Sequence, residues 1–317
     1  MRKLLLGLLL IAIAVPLGFT LAGWVNPEGT AQFTVDLERK GAGLEAKSIA
    51  VNGFQIHYLE GGTGEPLLMI HGFGANKDNW TRIGRYLTPH YRVIALDLPG
   101  FGDSSKPVEA GYRYADQLPR IQAFAEALGL KQYHVAGNSM GGYFAAGLAR
   151  HYPNSVQSAW LLAPARVDGA EPSEMGRRIA AGEPVPLLAQ TPAEFDQIID
   201  FVFADPPYLP GFYRGVLAER AIAAYPLNRR IFGQIHKESP ALESEVAGLR
   251  TPMLISWGEL DRVLHVSGAE VLDKLLPNAE VIRMPEVGHL PMVEAPRQSA
   301  EDYLGWRRSQ AQAAGAS

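Results

Sequence analysis

The sequence predicts an α/β domain built on a mostly parallel, doubly wound sheet, with an inserted helical cap and an N-terminal transmembrane helix. Three observations support this prediction. From Lys47 onward, short apolar runs alternate with amphipathic stretches, which is typical of strands and helices that follow each other in turn. One long interval, 166–249, contains only helical patterns, and apolar residues dominate the first 25 positions.

The N-terminal segment carries no charge over the 22 residues from Leu4 to Val25. As a helix it would span about 33 Å, against about 30 Å of bilayer hydrocarbon. Arg2 and Lys3 precede the run, so the positive-inside rule places the N-terminus in the cytoplasm and the rest of the chain outside, in the periplasm if the source is a Gram-negative bacterium. We therefore predict a single-pass anchor over 1–25. A cleaved signal peptide is the alternative that the sequence leaves open.

Small residues recur every fourth position in this segment, at Ala14, Gly18 and Ala22. This spacing lets two membrane helices approach closely, which predicts a homodimer formed through the N-terminal helix. The next stretch, 26–46, is polar and rich in glycine, and we interpret it as a juxtamembrane connector with a short helix over Ala31–Lys40.

The domain proper is predicted to occupy 47–165 and 250–310, followed by a tail over 311–317. Its helices include Ala115–Leu128 and Gly142–His151. The predicted strands are Ser48–Val51, Phe54–Leu59, Pro66–Ile70, Arg92–Leu96, Tyr133–Ala136, Ser158–Leu162, Pro252–Ser256 and Glu280–Arg283.

The interval 166–249 is predicted to form the cap. It contains four helical patterns separated by proline-rich turns: Ser173–Ala181, Thr191–Phe203, Phe212–Ala224 and Arg229–Lys237. An insertion after the sixth strand would cover the C-terminal edge of the sheet, where ligands bind in open α/β sheets.

The strongest motif is Gly137-Asn138-Ser139-Met140-Gly141-Gly142, between a predicted strand and a predicted helix. A serine in such a turn is held in a strained conformation, and only glycine fits two residues away on either side. The N-terminus of the following helix points its amides at negative charge that forms beside the hydroxyl. We therefore predict that Ser139 is a nucleophile.

A serine hydroxyl needs a base, and in this arrangement the acid and the histidine follow the serine along the chain. Asp261 comes shortly after the predicted strand Pro252–Ser256, and His289 comes shortly after Glu280–Arg283. We predict that His289 is the base and that Asp261 orients it. Glu259 is the alternative acid, and His265 is expected to line a loop.

A second glycine-rich turn, His71-Gly72-Phe73-Gly74, follows the strand that ends at Ile70. Its glycines allow a backbone N–H to point into the site, so the amides of Phe73 and Met140 are predicted to form an oxyanion hole. His71 is interpreted as a support for this loop.

The rest of the composition excludes several classes of function. The 317 residues are 47% hydrophobic and 20% charged, with a formal net charge of −4 and no block of like charge, so we expect no nucleic-acid partner. Cysteine is absent, which excludes disulfides, thiolate metal sites and thiol nucleophiles. The eight histidines show no metal-ligand spacing, so no metal is expected.

With these motifs, the chain from about Lys47 to Trp306 resembles the α/β-hydrolase superfamily. Within it, the chain is most similar to membrane-anchored monoacylglycerol lipases and their bacterial lipase and phospholipase A relatives. His71–Trp80 resembles their oxyanion loop, Gly137–Gly142 their nucleophile turn and Trp257–Leu264 their acid loop. The resemblance implies hydrolysis of acylglycerols or glycerophospholipids through an acyl-enzyme, with a lipid or acyl ester as substrate and no cofactor.

Two alternatives stay open at this point. The sequence Gly-Asn-Ser-Met-Gly-Gly also resembles the nucleophile turn of meta-cleavage product hydrolases, so a small-ester or carbon–carbon bond hydrolase of the same fold is possible, although the oxyanion loop lacks the Gly-Pro ending of that group. A non-catalytic, ligand-binding relative of these hydrolases is the second alternative, because some receptors use this fold.

Overall fold

A computed structural model describes residues 18–315, which contain one eight-stranded sheet. Its strands are β1 Glu45–Val51, β2 Phe54–Gly61, β3 Glu65–Ile70, β4 Tyr91–Leu96, β5 Tyr133–Asn138, β6 Val156–Leu162, β7 Met253–Gly258 and β8 Ala279–Met284. They lie in the order β1-β2-β4-β3-β5-β6-β7-β8. The pairs β1–β2 and β2–β4 are antiparallel and the remaining pairs are parallel. The predicted α/β architecture with a mostly parallel sheet is therefore confirmed.

Each of the eight predicted strands overlaps an observed strand. The largest difference is at β1, which begins at Glu45 instead of Ser48. All six residues of β5 are buried, because helices cover a central parallel strand on both faces. At the edge of the sheet, β1 leaves most of its residues exposed. Apolar runs therefore marked the central strands well and the edge strand less well.

The helices lie between the strands and at the two ends of the described chain. They are α1 Pro27–Gly41, α2 Thr81–Leu87, α3 Tyr114–Ala127, α4 Met140–His151, α5 Glu174–Ala180, α6 Pro192–Val202, α7 Gly211–Glu238, α8 Leu242–Val246, α9 Ser267–Leu275, α10 Pro291–Glu294 and α11 Pro296–Gly315. A 3-10 turn over Lys77–Trp80 precedes α2. Because α11 continues to Gly315, residues 311–315 of the predicted tail are helical.

The sheet separates two hydrophobic cores, since successive side chains of a strand point to opposite faces. On β3, Leu68 and Ile70 join the core that α3 and α4 cover. Leu67 and Met69 join the other core, which contains the large side chains Trp80, Trp160, Tyr303 and Trp306. Because a packed core covers each face of the sheet, the ends of the strands are held in fixed positions.

The cap comprises α5 to α8, between β6 and β7. The prediction of two helices, Phe212–Ala224 and Arg229–Lys237, is wrong, because both belong to the single helix α7, which continues through Pro226. A proline removes one backbone hydrogen bond and bends a helix, but packing on both sides can keep the helix continuous. Buried side chains lie on both sides of the proline: Val216, Ala218, Ile231 and Ile235.

The predicted connector over 26–46 is more ordered than expected. The helix predicted over Ala31–Lys40 is α1, and it starts earlier because the Asn26 side chain accepts a hydrogen bond from the Gly29 amide at 3.0 Å and proline occupies the first helical position. The last residues of the connector already belong to β1.

Contacts join α1 to the domain at both of its ends. Near its C-terminus, the buried guanidinium of Arg39 makes two hydrogen bonds, of 2.7 and 2.8 Å, to the carboxylate of Asp78 in the 3-10 turn. Burial lowers the pKa of Arg39, but the hydrogen bond to Asp78 and the charges of Asp78, Asp36 and Asp103 together raise it by more. Near its N-terminus, Glu28 pairs with Arg220 of α7 at 2.7 Å. The helix therefore connects the cap with the loop that follows β3.

Most of the predicted membrane anchor, Leu4–Val25, lies outside the described residues, as does Ala14 of the small-residue pattern. Residues 18–25 are helical. Between residues 18 and 315, no helix is both long and apolar enough to cross a bilayer.

Candidate active site

Ser139 lies in a sharp turn between β5 and α4 and has φ 56° and ψ −118°. This conformation is strained for a residue other than glycine. A Cβ atom on Gly137 would lie 2.1 Å from the Gly141 carbonyl oxygen, and one on Gly141 would lie 2.0 Å from the Ile70 oxygen. Both flanking glycines are therefore required for the turn to form.

Backbone hydrogen bonds fix this turn at the C-terminal edge of the sheet. The Ser139 amide donates to Leu162 at the end of β6, at 2.9 Å. The Ser139 carbonyl accepts from the amides of Tyr143 and Ala165, both at 3.0 Å. Three backbone hydrogen bonds thus hold Ser139 in its strained conformation.

His289 and Asp261 are brought together in the loops after β8 and β7. Their Nδ1 and Oδ2 atoms are 2.7 Å apart, and both side chains are almost fully buried. The other Asp261 oxygen accepts from the amides of Val263 and Leu264 at 2.8 and 2.9 Å. One carboxylate oxygen thus fixes the acid loop, and the other holds the proton of His289 on Nδ1, which leaves Nε2 free to accept a proton.

Ser139 and His289 are linked through Asn138, the residue before the serine. The buried Asn138 amide nitrogen donates to the His289 carbonyl at 3.0 Å and to the Leu162 carbonyl at 3.2 Å. Within the part of the chain that the structure describes, no hydrogen bond joins the Ser139 hydroxyl to the imidazole. Such contacts often form only in the substrate complex, so the observed geometry brings the two loops together without a direct bond.

The loop after β3 passes beside the serine, since a Cβ on Gly72 would lie 3.3 Å from the Ser139 Cβ. Among residues 18–315, neither the Phe73 amide nor the Met140 amide donates a hydrogen bond. Two unpaired amides in these positions can stabilise a developing oxyanion. The Phe73 ring contacts the rings of Phe101 and Phe232, with centroids at 5.9 and 5.3 Å, so it also connects the loop to α7.

His71 supports this loop from inside the protein. It is fully buried, its Nδ1–H donates to the Gly72 carbonyl at 2.7 Å, and its Nε2 accepts from the Leu98 amide at 3.1 Å. Only a neutral imidazole can make both contacts. Burial lowers the pKa of His71, and the Asp97 charge offsets this only in part, so the neutral form is favoured.

A buried ion pair fixes the far end of the same loop. The Lys77 ammonium is 2.8 Å from Asp97 and 2.6 Å from Asp103, and the Lys77 amide donates to Asp97 at 2.7 Å. Burial lowers the pKa of Lys77, but the charges of Asp97 and Asp78 and the hydrogen bonds to Asp103 and Asp97 together raise it by more. These carboxylates fix loops and do not reach the serine turn through any hydrogen bond of the described chain.

The two other residues considered for the site lie elsewhere. Glu259 pairs with Arg283 at 3.0 Å and is partly exposed, so Asp261 and not Glu259 lies beside His289. His265 lies in the loop before α9, with its Nδ1 atom 2.9 Å from the Ser267 hydroxyl at the start of that helix.

Two residues that sequence reasoning did not assign to the site contact the His289 loop. Asn138 lies inside the recognised motif, but nothing in the motif indicates a bond to a carbonyl 151 positions away. Glu294 accepts hydrogen bonds from the amides of Gly288 and Leu290 at 3.0 and 3.1 Å. No spacing rule marks a glutamate five residues after a histidine for this role.

Comparison with known proteins confirms the resemblance inferred from the sequence. The profile of the alpha/beta hydrolase fold matches residues 65–296. Lipase 1 of Psychrobacter immobilis is 39% identical over 285 residues, which cover 88% of this chain and 89% of that protein. Monoacylglycerol lipase ABHD6 of Bos taurus is 29% identical over 84% of each chain.

The solved structure of a membrane phospholipase A, described as a bacterial virulence factor, is also similar. It is 43% identical, covers 98% of this chain and 99% of its own, and superposes with a TM-score of 0.88. The profile match spans most of the chain, and relatives above 30% identity span nearly all of it. The chain belongs to the α/β-hydrolase family.

Proposed function

We propose that the protein is a membrane-anchored serine hydrolase that cleaves acyl esters of lipids through an acyl-enzyme. The observation that carries the proposal is the 2.7 Å bond between Asp261 and His289, in loops tied by Asn138 to the strained turn at Ser139. A buried histidine held in one tautomer beside a nucleophile turn is the arrangement needed to deprotonate a hydroxyl.

In the first half of the proposed reaction, the Ser139 hydroxyl oxygen attacks the ester carbonyl carbon and its proton moves to Nε2 of His289. The negative charge on the carbonyl oxygen is stabilised by the amides of Phe73 and Met140, each contributing about 3–4 kcal/mol. The intermediate then expels the alcohol, which takes the proton from Nε2, and the acyl group remains on Ser139.

In the second half, water replaces the alcohol. His289 takes a proton from the water as its oxygen attacks the acyl carbon. The bond to Ser139 then breaks, the proton returns to the serine oxygen, and a fatty acid leaves. Asp261 stabilises the charged imidazole in both halves.

A lipid substrate is supported by the relatives, which are named as lipases and as a phospholipase A. Lipid-product analysis tests this directly: purified protein is incubated with monoacylglycerol, lysophospholipid, and p-nitrophenyl esters of increasing chain length. We expect fatty acid release with the wild type and none with Ser139→Ala. A sharp preference for acetate over every longer chain would favour the small-ester alternative instead.

Labelling by a fluorophosphonate probe separates an enzyme from a binding module. The probe reacts only with an activated serine, so the wild type should be labelled and Ser139→Ala should not. Absence of labelling in the correctly folded wild type would favour the non-catalytic alternative.

Membrane attachment through Leu4–Val25 is the second part of the proposal. The length and charge of that segment support it, and so does the similarity to a membrane phospholipase A. The adjoining described residues expose several large apolar side chains: Leu21, Trp24, Val25, Phe33 and Leu37. Alkaline-carbonate extraction tests attachment, because an uncleaved spanning helix stays in the pellet and a released protein contradicts the anchor.

The proposed orientation puts the N-terminus in the cytoplasm and the catalytic domain outside. Protease added to spheroplasts should then degrade the domain, and protection of the domain in spheroplasts would reverse the orientation. The proposed homodimer can be tested through a single engineered cysteine, since the chain has none. Ala22→Cys lies in the exposed part of the small-residue pattern and should form a disulfide-linked dimer in membranes, whereas a monomer under oxidation contradicts this interface.

A further inference from the structure

The loop that carries His289 is held by three consecutive backbone amides. Gly288 donates to Glu294 Oε2 at 3.0 Å, His289 donates to the Val202 carbonyl at 2.9 Å, and Leu290 donates to Glu294 Oε1 at 3.1 Å. One carboxylate therefore binds the amides on both sides of the histidine, and the histidine's own amide is bound by the end of the cap helix α6.

The same carboxylate also reaches the cap. Glu294 Oε2 accepts from the Ala204 amide at 2.8 Å, two residues beyond the end of α6. Its three hydrogen bonds all come from backbone amides, and Glu294 forms no ion pair among residues 18–315. Hydrogen bonds to an ionised acceptor are about twice as strong as those between neutral groups. The Glu294 carboxylate therefore joins the histidine loop strongly to the cap segment.

Close approach and apolar packing reinforce the link. A Cβ atom on Gly288 would lie 2.7 Å from the Ala204 nitrogen and 3.0 Å from the Val202 oxygen, so only glycine fits between the loops. Val202 and Phe203 are buried in a cluster that includes Val263 from the acid loop, and Leu290 and Val293 pack against it. The end of α6 thus contacts the backbone of the histidine loop and shares an apolar cluster with the acid loop.

We propose that Glu294 is a positioning residue that links the position of the cap to the orientation of His289. The inference rests on the proposed function, because it assigns Glu294 an effect on the reaction only through that histidine. When the cap segment 202–204 is in place, its contacts with Glu294 and His289 hold the imidazole in line with Ser139. A cap that moves away removes the Val202 and Ala204 contacts together and leaves the histidine loop less constrained.

The test uses two variants that remove the hydrogen bonds of Glu294 from different sides, one at the carboxylate and one at the cap. In Glu294→Gln, one acceptor oxygen becomes an NH₂ group, which cannot accept, so amides of the histidine loop or the cap lose their partner. Ala204→Pro removes the cap N–H and places the proline ring Cδ against the Glu294 carboxylate, so it breaks this contact from the cap side. The preceding residue, Phe203, has φ −103° and ψ 143°, the extended conformation that the residue before a proline adopts.

The matched control is Glu243→Gln. Glu243 also binds a backbone amide, that of Gly169 at 2.6 Å, but it lies away from the histidine loop. All proteins are the full-length chain in detergent. The measurements are kcat and KM for p-nitrophenyl butyrate with active sites titrated, the rate of fluorophosphonate labelling, and Tm.

We expect Glu294→Gln to lower kcat about 10–100-fold with KM changed by less than about threefold, because small misplacements of a catalytic group cost this much. Labelling should slow by a similar factor. Ala204→Pro should lower both rates about three- to tenfold, and Glu243→Gln should leave both within about twofold of wild type.

A folded Glu294→Gln protein with wild-type kcat and labelling rate would overturn the proposal. Equal losses of kcat in Glu294→Gln and Glu243→Gln would also overturn it, because they would reflect general destabilisation. A wild-type rate in Ala204→Pro would show that the cap contact does not affect His289. Failure of the wild type itself to label would instead refute the proposed serine mechanism.

Discussion

Asp261→Asn isolates the effect of the acid on the proton of His289. In the structure, one Asp261 oxygen is 2.7 Å from His289 Nδ1 and the other accepts from two backbone amides. Asparagine can keep its oxygen on those two amides, which places its NH₂ group against Nδ1. The imidazole must then accept at Nδ1 and carry its proton on Nε2, so it can no longer take a proton from Ser139.

The size of the effect follows from this change of tautomer. In other serine hydrolases the same substitution lowers kcat about 10⁴-fold. At about 1.36 kcal/mol for each factor of ten, this corresponds to about 5 kcal/mol of lost transition-state stabilisation. The fold should be little affected, because the acid loop keeps both of its backbone hydrogen bonds.

Hydrolysis of p-nitrophenyl butyrate at pH 7.5, with circular dichroism and Tm as folding controls, measures the effect. Glu259→Gln is the matched control, since Glu259 pairs with Arg283 at the surface and should not alter kcat by more than about twofold. Retention of more than a tenth of wild-type kcat in Asp261→Asn, or a large loss in Glu259→Gln, would refute the assignment of the acid.

Three further predictions concern the nucleophile turn and the core. Gly141→Ala should abolish folding or fluorophosphonate labelling, because its Cβ would lie 2.0 Å from the Ile70 oxygen, and a labelled, stable variant would contradict the strained turn. Asn138→Asp should lower kcat at least tenfold, since a carboxylate cannot donate to the His289 carbonyl. Asn278→Asp is the control, because the Asn278 side chain donates to the Arg250 carbonyl at the surface. Equal losses of kcat in Asn138→Asp and Asn278→Asp would refute the link to His289. Burial, with the nearby Arg307 charge, lowers the pKa of His134 from 6.5 to about 4. As the pH falls, the unfolded chain therefore binds a proton at His134 before the folded protein does. The free energy of unfolding should decrease by roughly 1–3 kcal/mol between pH 6.5 and pH 4. Urea unfolding at pH 7 and pH 4.5 should show a smaller decrease for His134→Gln, and an unchanged decrease would contradict the role of this histidine.

The sheet could be predicted from the sequence because its central strands are buried on both faces. Continuous apolar runs such as Pro66–Ile70 leave little choice of structure, and turn residues bound them. The ends of strands were less certain, since they depend on pairing with neighbours. β5 extends to Asn138 because it pairs with β6 up to Leu162, which no local pattern indicates.

Helix α7 illustrates where local rules fail. Pro226 is a strong local signal for a break, but Ile231 is fully buried in the core that α3 and α4 cover and fixes the second half of the helix in line with the first. Tertiary packing of this kind outweighs a single proline.

In the candidate site, the roles proposed for Ser139, Asp261 and His289 follow from side-chain chemistry and chain order, and the structure places Asp261 beside His289 as the sequence predicts. Asn138 and Glu294 were not assigned, because their partners are backbone amides and carbonyls. Every residue carries such groups, so the sequence contains no sign of which ones will be near.

The attachment of α1 has a practical consequence for preparing an N-terminally shortened form of the protein. A version that starts at Asn26 keeps the capping side chain, the complete helix and the contact between Arg39 and Asp78. A version that starts at β1 loses Arg39 and the buried residues Ala42 and Leu44, and it leaves Asp78 without its guanidinium partner. The shorter form should therefore be the poorer choice for crystallisation and assays, even though it retains every residue of the candidate site.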